Sequence, residues 1–179
     1  MIVNPYPDKR LMDGDSVRRA WIEPVYTEDL MVLPEALQRG AEIYATARPF
    51  RYKITMRGGD VVAGVIPAGM RTDGTSTPRA LHWYADNDSG RHLGAAILHD
   101  FLFVAWQRLE PATIDLQALR FRFANRVFYH AMRAHGVRWL KARLMWRAVH
   151  LWGWDWFLEE DGTLFLTDDE LAAAWGGRA

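Results

Sequence analysis

"PFRYKITMRGGDVVAGVI", residues 49–66, decides the fold. Phe50, Tyr52, Ile54 and Met56 alternate with Arg51, Lys53, Thr55 and Arg57, the period of two that a half-buried strand requires. Gly58-Gly59-Asp60 is a turn and residues 61–66 read as the returning strand, so the stretch is a β-hairpin. Pro67-Ala-Gly69 marks a second turn.

Downstream of the hairpin the period changes to that of a helix. The spacing predicts three helices, over about 91–107, 115–134 and 137–152. The second starts beside Asp115 as N-cap and stops at Gly136; the third stops at Gly153. Val137, Leu140, Leu144, Ala148 and Leu151 form the apolar stripe of the third. So short a linker at Gly136 makes the last two an antiparallel pair. Further on, "WFLEEDGTLFL" sets Asp161-Gly162 between two apolar runs, a hairpin signal. Thr167 with Glu170 is a capping box that opens a last short helix.

The expected fold is therefore α+β. A small antiparallel β element, the hairpin 50–66, packs on the three helices, and a C-terminal β-hairpin and short helix follow. Residues 1–45 mix turn formers with short apolar pieces such as Trp21-Ile22 and read as an N-terminal arm or irregular lead-in. Such an arm lies against another chain or wraps its own domain. Residues 46–179 read as a single α+β domain.

Composition excludes several classes. Half of the 179 residues are hydrophobic and nine are Trp, which is incompatible with disorder as the main state. With no Cys there is neither a disulfide framework nor a thiolate zinc site. The opening MIVNPYPDKR lacks the apolar core of a signal peptide, and no apolar run is long enough to span a membrane. Net charge is zero, yet its distribution is uneven. Eight basic residues and no acid lie between Leu116 and Trp154, whereas seven acids and one Arg lie from Asp155 onward. Either the acidic tail packs beside the basic helices and neutralises them, or the basic segment docks a polyanion or an acidic protein. Trp139, Trp146, Trp152, Trp154 and Trp156 read mostly as core, with base stacking as the alternative.

The candidate site joins a loop to the first helix. Residues 70–80 carry hydroxyls, an acid and a Pro-Arg pair. On the helix, Leu93, Ala96, Ile97, Asp100 and Val104 share a face, so Asp100 sits on an apolar stripe. A buried carboxylate needs partners. Thr72, Thr75, Ser76, Thr77 and Arg79 supply donors, Asp73 makes its own turn before Gly74, and Asp100 is read as the anchor of the loop. The functional reading uses the same residues. Asp73, Ser76, His99 and Asp100 are the catalytic candidates, with Ser76 as nucleophile and His99 as base, or with Asp73, His99 and Asp100 around a divalent metal. No cofactor is expected otherwise. His99 and Asp100 are neighbours and diverge by roughly 100° about the helix. His130, His135 and His150 fit no metal spacing.

Residues 66–136 resemble the phage and prophage domain-of-unknown-function family 1353. The matches are Pro67-Ala-Gly69-Met70, Thr72-Asp73-Gly74-Thr75-Ser76, Pro78-Arg79, Ala95-Ala96, His99-Asp100-Phe101-Leu102-Phe103, Ala124-Asn125-Arg126-Val127-Phe128, Ala131-Met132 and Gly136. Phe103 stands where the family usually has Tyr, and Asn125 where it usually has Asp. An amide in place of an acid suits a hydrogen-bonding scaffold better than a base or metal ligand. Thr72, Asp73, Ser76, Arg79, Asp100 and Asn125 are therefore expected to form a structural polar network. The resemblance implies a phage context and no particular reaction. The expected function is a phage-encoded structural or assembly protein of the tail, baseplate or head–tail region. It would contact other phage structural proteins or copies of itself, in the virion or in the host cytoplasm during assembly. The alternative is a small hydrolase acting on cell-wall peptide or glycan. Nucleic-acid binding through residues 116–154 is a third expectation.

Overall fold

The computed structural model describes residues 3–13, 15–33, 44–72, 92–160 and 164–176, with side chains through 173. In chain order the elements are α1 (Lys9–Met12), β1 (Val17–Ile22), β2 (Leu30–Val32), β3 (Tyr44–Thr46), β4 (Phe50–Met56), β5 (Val61–Ile66), β6 (Arg71–Thr72), α2 (Leu93–Val104), α3 (Ile114–Ala134), α4 (Trp139–Trp152), α5 (Trp154–Leu158) and α6 (Asp168–Gly176). The chain is α+β, as its patterning predicts.

The hairpin forms in the expected place, with Phe50 opposite Ile66 and Thr55 opposite Val61. Phe50, Tyr52, Ile54 and Met56 all point inward and are buried. The lead-in contributes more than an arm. Its strand β1 pairs antiparallel with β4, so the sheet runs β1-β4-β5 among the described residues. The register shifts between Val17 and Arg19, and the buried residues are Val17, Ala20 and Ile22. An extra residue at a bulge breaks strict alternation, which is why the pattern of this strand is not visible in the sequence. Tyr6, Met12 and Leu30 join the same core. The lead-in thus wraps its own domain.

A second small sheet, β2-β3-β6, carries its own cluster of Met31, Leu33, Ala45 and Ala47, against which Leu166 and Leu171 pack. The two sheets are tied at the Pro67–Met70 turn. Thr46 Oγ1 donates to the Pro67 carbonyl at 2.9 Å and accepts from the Met70 amide at 3.0 Å. Gly69 takes a φ of +78°, available to glycine at little cost.

Helices α2 and α3 lie on the β1-β4-β5 sheet, with α3 against β1. The N-cap of α3 is Thr113, whose hydroxyl accepts from the Leu116 amide, and not Asp115, which falls within the first turn. At the other end His135 is the C-cap and Gly136 has a φ of +81°. The Gly136 amide bonds the Arg133 carbonyl and the Val137 amide bonds the Met132 carbonyl. These are the two bonds of a Schellman motif, which turns the chain back so that α4 runs antiparallel to α3. Paired rings bear this out: His150 stacks on Phe121 at 5.8 Å, and Trp146 meets Tyr129 edge-on at 6.4 Å.

Two expectations for the C-terminal half are corrected. Of the stripe read on α4, Val137 and Ala148 are buried, but Leu140, Leu144 and Leu151 are exposed. Lys141, Ala142, Met145 and Val149 face α3 instead, because the two ring pairs fix the rotation of the helix. The C-terminal hairpin loses its first arm. Trp154, Phe157 and Leu158 recur at helical spacing, and α5 inserts Trp154 and Phe157 against Phe121 at 5.2 and 5.6 Å. The turn residues 161–163 lie outside the described residues, and Phe165 pairs with Met70. The capping box of α6 forms as read: the Thr167 amide donates to Glu170 at 2.8 Å, and the Glu170 amide to Thr167 at 3.3 Å.

Candidate functional site

The 100° divergence of consecutive helical residues sends His99 and Asp100 to different partners. Asp100, 7% exposed, receives the Thr72 hydroxyl on Oδ2 at 2.5 Å, which ties α2 to the end of β6. His99, 1% exposed, meets Asn125 of α3 at 2.9 Å between Nε2 and Oδ1. With the amide oxygen accepting, Nε2 carries the hydrogen, and Nδ1 lies 3.6 Å from Asp100 Oδ1. The rings of Phe103 and Phe128 close over the imidazole at 4.0 and 4.7 Å. Two adjacent side chains therefore pin one helix to a sheet and to a second helix.

Of the residues expected in the network, Thr72 and Asp100 are brought together. Asn125 joins through His99, while Asp73, Ser76 and Arg79 lie outside the described residues. Asn125 is wholly buried, and its Nδ2 has no hydrogen-bond partner. A carboxylate at that position would carry no such orphan donor. The amide adds no charge of its own beside His99. Among the described residues no group of three His, Asp or Glu is placed to hold a metal ion.

Residues 45–149, well over half of the chain, match the family described as "Protein of unknown function (DUF1353)". The chain belongs to this family. An uncharacterized protein of Sinorhizobium fredii, y4jT, is 34% identical over 95 residues, which are 52% of this chain and 25% of that protein. The chain thus spans about a quarter of the length of that curated relative. No solved structure matches. The DUF1353 match runs from β3 into α4, so β1, α5 and α6 lie outside it.

Two features of this DUF1353 chain give no signal in its sequence. One is Arg120, 7% exposed, whose guanidinium lies 5.0 Å over the Tyr6 ring. Its Nε and Nη1 are buried without partners, and burial holds its pKa below the usual guanidinium range. The Tyr6 hydroxyl, pushed far above its ordinary range by burial, donates to the Leu102 carbonyl. Replacing the guanidinium by the apolar, similarly long side chain in Arg120→Met removes orphan donors at the cost of one cation–π contact. The variant is expected to melt a few degrees above the parent, by about 1 kcal/mol, in a thermal scan.

The other is the surface of α4. Leu140, Leu144 and Leu151 share a face with Arg147, beside Arg143, and all are exposed. Trp139, Trp152 and Trp156 are exposed as well, and only Trp146 and Trp154 of the five pack inward, against the expectation of a mostly buried cluster. Among the described residues Arg143 and Arg147 form no ion pair with the acids from Asp155 onward; α5 packs on Phe121, and Leu166 and Leu171 seat the chain beyond it on the small sheet.

Burial holds His130, His135 and His150 below the usual imidazole range, with Arg122 and Arg126 adding to the effect at His150. The unfolded chain then binds more protons than the folded one as pH falls through 6.5, the ordinary imidazole value, toward the depressed folded values. Stability is expected to be fully present above that value and to fall below it. Changing the three histidines to Gln should flatten the dependence of melting temperature on pH between about 5 and 7.

Proposed function

We propose that this DUF1353 chain is an assembly component that acts through protein–protein contacts, a phage-encoded part of a virion's tail, baseplate or head–tail region. The observation that carries this reading is the row of exposed leucines on α4, interleaved with arginine and left uncovered by the chain's own acidic tail. A contiguous apolar face on a surface helix marks a contact site. Leucine contributes nothing to holding phosphates, so the face suits protein better than nucleic acid. The enclosed His99, with Phe103 and Phe128 packed against it, favours a structural role for the polar network over hydrolysis. No helix among the described residues is long and apolar enough to cross a membrane.

The partners on this reading are phage structural proteins, met in the host cytoplasm during assembly and retained in the virion. A photoreactive residue placed at Leu144 during particle production tests it, together with mass spectrometry of purified particles. The chain should be present at a stoichiometry tied to tail symmetry and cross-linked to a particle protein. Absence from particles removes the virion role, and a steep salt-dependent affinity for DNA would favour the nucleic-acid reading instead.

A further inference from the structure

Resting on that reading of α4, we infer that its occupant is a second copy of this chain, docked head to tail through the acidic first turn of α6. The face offers Leu140, Leu144 and Leu151 with Arg143 and Arg147, all exposed. The chain carries the complementary surface itself. Asp168, Asp169 and Glu170 form the first turn of α6 and are exposed, with Arg71 acting on Glu170. Glu170 is engaged in the capping box with Thr167, which leaves Asp168 and Asp169 to reach outward. Ala172, one turn on from Asp168 and also exposed, is small enough to meet leucine closely.

Geometry within one chain argues for two copies. Leu171 packs α6 on Met31, Leu33, Ala45 and Ala47, and among the described residues neither Arg143 nor Arg147 forms an ion pair with Asp168 or Asp169. A symmetric pairing of two α4 faces would set Arg143 and Arg147 against their own copies and is opposed by like charge. Zero net charge, split into a basic face and an acidic helix, instead fits an interface in which each copy gives one surface and receives the other. Such heterologous contacts propagate, into a ring if the rotation closes and a filament if it does not.

Sedimentation of the full chain tests this. At about 25 mM salt, species larger than a monomer are expected, dissociating as salt is raised to about 500 mM. The pair Arg143→Glu/Arg147→Glu and the pair Asp168→Lys/Asp169→Lys should each be monomeric at low salt with unchanged melting. Mixing the two should restore association, because each surface then finds its opposite on the other variant. A symmetric α4 pairing predicts instead that Asp168→Lys/Asp169→Lys associates on its own as the parent does, because α6 lies outside that interface. A monomeric parent at low salt, or a mixture that stays monomeric, overturns the second copy as occupant. Presence of the chain in purified particles judges the virion reading whatever the sedimentation shows, so the two readings fail separately.

Discussion

Asp100→Ala is expected to lower stability by about 3 kcal/mol, a fall of roughly 10 °C in melting temperature for a chain of this size. The cause is the clasp between α2 and β6. The carboxylate is buried and holds the Thr72 hydroxyl, so its removal leaves that hydroxyl's bond unmade and opens a void beneath it. Thr72→Val, which keeps the shape and deletes the donor, should cost less, about 1–2 kcal/mol, because Asp100 keeps its other surroundings. The double variant should lose less than the sum of the two, since both changes remove the same bond. Additive losses, or an Asp100→Ala chain melting within a degree of the parent, would show that the clasp contributes nothing.

Ile22→Asp should prevent stable folding, at a cost of about 4 kcal/mol or more. Ile22 is fully buried, and its Cγ2 lies 3.1 Å from where a Cβ on Gly94 would stand, so β1 and α2 meet with no room for a hydrated charge. Its neighbour Trp21 points outward, and Trp21→Asp should be tolerated. Circular dichroism and a thermal scan of the two variants separate these outcomes. If Ile22→Asp folds as well as Trp21→Asp, the N-terminal strand is dispensable to the domain.

These two positions also mark how far sequence reasoning reaches. The hairpin was legible because Phe50, Tyr52, Ile54 and Met56 alternate without interruption. β1 was hidden because consecutive Arg18 and Arg19 sit at a bulge, where the alternation slips. The different directions of His99 and Asp100 follow from helix geometry alone, but the partners they reach, Asn125 and Thr72, depend on how α2 sits between α3 and β6. On α4 the leucines looked like core by type and spacing. The helix also carries a second apolar row, Ala142, Met145, Trp146 and Val149, and it is this row that meets the rings on α3. Arg120 is a similar case, since only its position over Tyr6 makes it unusual.

The packing of α3 on β1 also sets an order of events during synthesis. Arg126 Nη1 bonds the Met12 carbonyl across 114 residues, and the inward side chains of β1 are covered by a helix made about a hundred residues later. At ribosomal rates that delay is on the order of 10 s, during which the nascent N-terminal strand shows an apolar side to the cell. Chaperone dependence and slow refolding are the kinetic signatures of so distant a pairing.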